Sequence, residues 1–226
     1  WMGSDAFFVF DGTVRKLPCT VEDFVFDEID TTQYEQVWAG SNSAYGEVWW
    51  FYCSTASNQV DKYVIWNYQE NLWYTGSLDR STWIDSGTYP LPYATKYDGT
   101  NSTLFIHESG KDDDGSTLTS FIESGDFDIG DGDDIMFVNK LIPDFKNQVG
   151  NVNITLKSRY FPTDTQTSKG PFRYNTTSSK INTRTRGRQI AVRLESNGFN
   201  NINNDATGED WRLGTLRFEV QPDGKR

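Results

Sequence analysis

The sequence predicts an all-β protein, a partial β-propeller followed by a small antiparallel β-domain of the sandwich type. Aromatic residues make up 15% of the 226 residues, and aromatic side chains favour the pleated, half-buried surface of a strand. Gly, Ser, Thr, Asn and Asp fill the segments between the aromatic runs, where they supply turns. Trp-bearing strand pairs recur at the spacing of propeller blades, about 40–50 residues. We therefore expect about three blades in residues 1–125 and the second domain in residues 126–226.

The first strands can be assigned from their turns. Phe7–Phe10 precedes an Asp-Gly dipeptide, which is typical of a tight hairpin, and Val14–Leu17 is the expected return strand. Val37–Gly40 and Glu47–Cys53 are the next two candidates. The second of these has bulky side chains at odd and even positions, so both of its faces should be covered.

The aromatic-rich segment that follows predicts a second hairpin. Lys62–Tyr68 and Leu72–Gly76 flank a short polar turn, which makes them antiparallel neighbours. Val64–Asn67 also resembles Phe8–Asp11, as expected for repeated blades. We expect three tryptophans of this region to pack inside the blade rather than to form sugar-binding platforms. They are Trp49, Trp66 and Trp73.

Further strands continue to the end of the chain. Leu104–His107 follows an Asp-Gly turn, and Phe121–Glu123 follows an Asp-rich one. In the second domain the candidates are Val152–Leu156, Gln189–Leu194 and Leu216–Val220. Long polar loops are expected over residues 162–180 and 196–209.

Charge divides the sequence unevenly. The net charge is −11, with −18 over residues 1–134 and +7 over residues 135–226. The basic concentration consists of Arg184, Arg186, Arg188 and Arg193. These arginines could contact nucleic-acid phosphates or the acidic region of another copy. Thr, Gly and Gln separate them, not aromatic stacking residues, so we expect a subunit interface.

Residue counts give little support for catalysis. His107 is the only histidine, so no multi-histidine metal site can form, and no phosphate-binding loop is present. Cys19 and Cys53 do not make a disulfide framework, which favours a reducing compartment. A glycosidase-type carboxylate pair stays open because carboxylates are abundant. We expect no enzyme activity, no cofactor and no membrane span.

An acidic run is the one candidate metal site. Asp126, Asp128, Asp131 and Asp133 could surround Ca²⁺ with carboxylate and carbonyl oxygens. The run lacks the Glu that an EF-hand loop carries at its twelfth position, where Phe137 stands instead. A solvated acidic turn is the favoured interpretation.

Several segments resemble propeller-containing tail proteins of tailed bacteriophages. They are Glu47–Tyr52, Lys62–Tyr68, Leu72–Leu78, Phe127–Asp134, Arg186–Gln189, Trp211–Gly214 and Pro222–Arg226. The likeness is to the C-terminal part of tail nozzle, tail hub or DNA-stabilisation proteins, the tail tubular protein B type. It implies a virion protein, made in the host cytoplasm, that forms a ring of identical subunits, commonly a hexamer. It also implies contacts with tail adaptor and tail fibre proteins, and no catalytic residues.

In such a ring the acidic region would line a channel that double-stranded DNA passes without sequence-specific binding, since like charges repel. Proteins of this type are longer, and the chain opens on Trp1-Met2-Gly3, so we expect further blades upstream. Two alternatives remain open. One is a carbohydrate-binding or depolymerising tail protein, and the other is a free-standing, lectin-like propeller.

Overall fold

The computed structural model describes residues 1–196 and 209–225. Strands account for 54% of the chain and helices for 9%, so the protein is all-β as predicted. The described sheets are antiparallel, and none of them closes on itself. The chain forms two compact units, Trp1–Ser109 and Gly110–Arg226. This division lies nearer the N terminus than the boundary expected from the sequence.

The first unit contains nine strands and one α-helix in the following order. They are β1 (Phe7–Phe10), β2 (Val14–Leu17), α1 (Glu22–Glu28), β3 (Trp38–Asn42), β4 (Glu47–Tyr52), β5 (Lys62–Asn67), β6 (Leu72–Ser77), β7 (Thr82–Ile84), β8 (Tyr93–Tyr97) and β9 (Ser102–Ile106).

Three sheets make up this unit. Strands β1 and β2 form a hairpin, β3 to β6 form a four-stranded sheet in sequential order, and β7 to β9 form a three-stranded sheet. The predicted adjacency of β4, β5 and β6 is confirmed, with Val64 opposite Trp50 and Trp66 opposite Trp73. Hydrophobic patterning and short turns were sufficient to predict this adjacency because each partner is local in sequence.

Helix α1 was not predicted. Val21, Val25 and Ile29 lie four residues apart, and this spacing turns them toward one side of a helix. Val25 and Ile29 are buried in the same core as Phe7 and Trp50. The helix has only seven residues, too few for its period to stand out against the surrounding strands.

The described part of the second unit contains nine strands. They are β10 (Asp112–Asp113), β11 (Ser116–Thr117), β12 (Phe121–Glu123), β13 (Asp134–Val149), β14 (Val152–Arg159), β15 (Thr167–Tyr174), β16 (Ile181–Gly187), β17 (Gln189–Glu195) and β18 (Asp210–Lys225).

Two main sheets share one hydrophobic core in this unit. One sheet has the order β12-β17-β14-β15, and the other has the order β16-β13-β18. Met136 and Val138 of the second sheet are buried with Ile154, Ile190 and Leu194 of the first. The longest pairing joins β13 to β18, so the unit is closed by the last strand of the chain.

The loop expected over residues 162–180 is wrong in part, because β15 occupies Thr167–Tyr174. This strand lies at a sheet edge, and only Tyr174 is buried while Phe172 is half-buried. An edge strand exposed over most of its length carries no alternation of apolar and polar residues, so its sequence reads as a loop. The other expected loop, residues 196–209, lies outside the described residues except at its two ends.

Candidate assembly surfaces

The four-stranded sheet of the first unit is covered on both faces, as the pattern of β4 predicted. On one face, Phe7 of β1 packs against Trp50 and Trp73, with ring centroids 5.0 and 4.8 Å away. The indole nitrogen of Trp73 donates to the carbonyl oxygen of Pro18 over 3.0 Å. The β1–β2 hairpin and helix α1 therefore cover this face together.

The three-stranded sheet covers the opposite face. Trp83 of β7 stacks on Trp49, with ring centroids 5.2 Å apart and an interplanar angle of 23°. Its indole nitrogen donates to the carbonyl oxygen of Ser41 over 2.8 Å. A Cβ atom at Gly40 would lie 2.8 Å from the Trp83 ring, so the two sheets approach as closely as a glycine allows.

The three expected blade tryptophans thus have different surroundings. Trp49 and Trp73 are buried on opposite faces of the four-stranded sheet. Trp66 is half-buried, and its indole nitrogen donates to Oδ1 of Asn71 over 3.3 Å.

The β7–β9 sheet leaves its outer face uncovered. Trp83, Ala94 and Phe105 are register partners on the inner side, so Ile84, Tyr93 and Ile106 share the outer side. Ile84, Leu104 and Ile106 are 51%, 63% and 52% exposed. We name this surface the β9 face, and define it by Thr82, Ile84, Tyr93, Thr95, Tyr97, Ser102, Leu104 and Ile106.

The β1–β2 hairpin also leaves an outer face uncovered. Phe7 and Leu17 point into the core, so Phe8, Phe10 and Val14 lie on the other side. Phe10 is 66% exposed and Val14 is 61% exposed. Trp1 stacks on Phe8, with centroids 5.5 Å apart. We name this surface the β1 face, and define it by Trp1, Phe8, Phe10, Val14 and Lys16.

Exposed apolar surface concentrated on one sheet face is typical of an interaction site. Neither face was apparent from the sequence. Leu104 and Ile106 occupy alternate positions of β9 and so share one face, but Phe105 between them is also apolar. The sequence therefore did not reveal which face of β9 is covered.

The four arginines expected at a subunit interface do not form one cluster. Arg184 and Arg186 lie on β16, Arg193 lies on β17 of the other sheet, and Arg188 joins the two strands. Arg186 pairs with Asp223 over 2.6 Å. Within the described residues, the guanidinium groups of Arg184 and Arg188 have no hydrogen-bond or ion-pair partner.

Arg193 is engaged inside its own unit. It pairs with Glu123 over 3.0 Å and with Glu195 over 2.7 Å, and its guanidinium lies 4.0 Å from the centre of the Phe121 ring. Partial burial opposes ionisation of Glu123, but hydrogen bonds from Lys157 and Arg193 outweigh it and lower the pKa of that carboxyl.

The boundary between the two units divides the charge differently from the division at residue 134. Residues 110–134 are acidic and fold with the basic region, so the second unit holds 17 Asp and Glu against 16 Lys and Arg. The first unit holds 15 against 5. The charge imbalance of the protein therefore resides in the first unit, and much of the basic charge of the second is matched locally.

The candidate calcium ligands do not converge. Asp126 binds the guanidinium of Arg159 and accepts from Gln166 Nε2 over 3.0 Å. Among the described residues, no group of three or more His, Cys, Asp or Glu side chains is placed to hold a metal ion. A carboxylate already paired with arginine is a poor cation ligand.

His107, Cys19 and Cys53 are side chains of types that serve nucleophilic catalysis, but their surroundings here are those of structural residues. His107 accepts at Nε2 from Nε of Arg80 over 3.0 Å and packs against the Trp83 ring. Cys19 and Cys53 are free thiols. Burial raises the pKa of the Cys19 thiol to about 11 and also raises that of Cys53, so both stay protonated at neutral pH.

No protein-family model matches the chain, and no curated protein is detectably similar to it. In the part of the chain that the structure describes, no helix has both the length and the apolar character of a membrane span.

Proposed function

We propose that the protein is a structural component of a tailed-bacteriophage virion, a subunit of a nozzle or hub ring. In this proposal the first unit is three blades of a β-propeller and the second unit is a β-sandwich. The ring forms the DNA exit channel and retains the genome until ejection. Copies of the chain, the tail adaptor and tail fibre proteins are its partners.

The observation that carries the proposal is the stack of three sheets with an exposed apolar face at each end. Face-to-face packing of consecutive antiparallel sheets through aromatic side chains is characteristic of propeller blades. Two uncovered apolar faces favour an assembly role over a soluble monomeric one. The phage setting comes from the sequence resemblance.

Electrostatics supports the channel. The first unit holds three times as many acidic as basic residues, 15 against 5. An acidic surface repels phosphates, because nucleic-acid binding is driven mainly by lysine and arginine. Double-stranded DNA could pass such a wall without adhering to it.

Purified virions test the proposal. Peptides of this chain should appear in their mass spectra at the copy number of a ring protein, and an antibody should label the tail tip in negative-stain images. Absence of the chain from virions would contradict the proposed function.

Carbohydrate binding is the second candidate, and one cleft favours it. A cavity of about 500 Å³ in the first unit is lined by aromatic and polar side chains. Among them are Trp38, Gln59, Asp79, Ser81 and Tyr97. Aromatic rings beside hydrogen-bonding groups suit a sugar. Saturable glycan binding that Tyr97→Ala abolishes would favour this candidate, whereas the ring proposal expects none.

A further inference from the structure

The β1 face and the β9 face are the two ends of one stack of sheets. The four-stranded sheet in the middle is covered on both sides, by Phe7 of the hairpin and by Trp83 of the three-stranded sheet. Each outer sheet is covered on one side only by the first unit. In a closed propeller, every blade is covered on both faces by its neighbours.

Both faces are suited to burial. The eight residues that define the β9 face include no charged side chain. The β1 face carries one charged side chain, Lys16, which already pairs with Glu22 over 2.6 Å, and the ammonium group of Trp1, which donates to the carbonyl oxygen of Phe8 over 2.8 Å. Burial of these surfaces would therefore desolvate almost no unpaired charge, the main cost of burying a polar surface.

The two faces also differ in composition. The β1 face presents the rings of Trp1, Phe8 and Phe10, whereas the β9 face presents the aliphatic side chains of Ile84, Leu104 and Ile106. Inside the unit, the β1–β2 hairpin packs on one face of the four-stranded sheet, and the three-stranded sheet packs on the opposite face. Continuing the same stacking order puts a β1 face on a β9 face.

We propose that a second copy of this chain covers both faces, so that two copies close one propeller. The β9 face of each copy packs on the β1 face of the other, and a two-fold axis relates the two contacts. Two stacks of three sheets give six, within the range of about four to eight blades that propellers contain. The blades that one copy lacks then come from the second copy.

This inference rests on the propeller interpretation of the first unit proposed above, and it does not depend on the phage setting. A heterologous contact repeated around a closed axis leaves no free end, which limits assembly to a defined size.

The test uses the full 226-residue chain and two double variants. One carries Phe10→Asp and Val14→Asp on the β1 face, and the other carries Leu104→Asp and Ile106→Asp on the β9 face. All four side chains are more than half exposed, so both variants should fold. Sedimentation velocity of the unaltered chain should give twice the monomer mass, and each variant alone should give the monomer mass.

Mixing the two variants is the decisive step. Each retains the face that the other has lost, so one of the two contacts can form and a heterodimer should appear. Pairing of like faces predicts instead that one variant alone stays dimeric and that the mixture gains nothing. Leu72→Asp, at an exposed position of β6 outside both faces, should leave the dimer intact.

A monomeric unaltered chain at high micromolar concentration, or a mixture that stays monomeric, would overturn the inference. Such a chain could still appear in purified virions, so the proposed ring function fails by a different measurement.

Discussion

Nη1 of Arg193 lies 3.0 Å from Oε2 of Glu123, although 70 residues separate them in the sequence. Strand β12 pairs with β17 and places Glu123 directly opposite Arg193. An arginine that the sequence assigns to a subunit interface is therefore engaged by a carboxylate of its own chain. Opposite charges at cross-strand positions stabilise a sheet.

Replacing Glu123 tests this arrangement through pH. The pKa of Glu123 is lowered on folding, so its ionised form contributes stability above the unfolded pKa of about 4.3. That contribution is lost as the pH falls through the lower folded pKa. Glu123→Gln should lower the free energy of unfolding by about 0.5–1 kcal/mol at pH 7, and the difference should vanish in strong acid.

Urea unfolding at several pH values measures this effect. Glu70→Gln, at an exposed turn position, is the control and should change little. If Glu123→Gln lowered the free energy of unfolding by the same amount at every pH, the ion pairs of Glu123 would contribute nothing to stability.

Reversing charge at Arg184 separates assembly from stability. Arg184→Glu together with Arg188→Glu removes no ion pair within the described residues, so the melting temperature should not change. If these groups face carboxylates of another copy, ring assembly should be lost. In the unaltered protein, assembly should weaken as salt shortens the Debye length from about 10 Å to about 3 Å.

Arg193→Glu is the contrasting variant, because it breaks two ion pairs within the chain and should lower the melting temperature. Negative-stain images of particles report assembly, and a DNA-retention assay reports the genome. Normal rings that retain less DNA would assign Arg184 and Arg188 to nucleic-acid contact.

Truncating Trp73 tests the core of the first unit. Trp73 is buried against Phe7 and Trp50, so Trp73→Ala should cost about 3–5 kcal/mol in the free energy of unfolding. Tyr74→Ala, one residue along β6 at a side chain that is 42% exposed, should cost far less. Unaltered stability with loss of a glycan ligand would instead favour the carbohydrate-binding candidate.

Gly40 tests the packing of the three-stranded sheet. Gly40→Ala puts a methyl group 2.8 Å from the Trp83 ring and should destabilise the protein by about 1–3 kcal/mol. Gly125→Ala meets no atom within 4 Å and should be neutral. Adding Trp83→Leu to Gly40→Ala should recover part of the loss, and full additivity of the two changes would contradict the contact.

Local patterns predicted the hairpins of the first unit because their partners lie close in sequence. Both faces of β4 could be assigned from its aromatic residues alone. Partners distant in sequence could not be assigned, as Glu123 and Arg193 show. The charge reversal near residue 134 is real in the sequence, but β12 and the acidic run fold with the basic strands, so it does not mark a unit boundary.

The position of β18 has a consequence for synthesis on the ribosome. The sheets of the first unit pair only neighbouring strands, so each hairpin can form soon after it leaves the exit tunnel. Strand β13 finds its main partner only in β18, Asp210–Lys225. The second unit therefore cannot complete its sheet until β18 has left the exit tunnel, and Phe218 and Val220 reach the core last. Until then the apolar side chains of β13 are only partly buried. During this interval, nascent copies on one messenger are prone to associate.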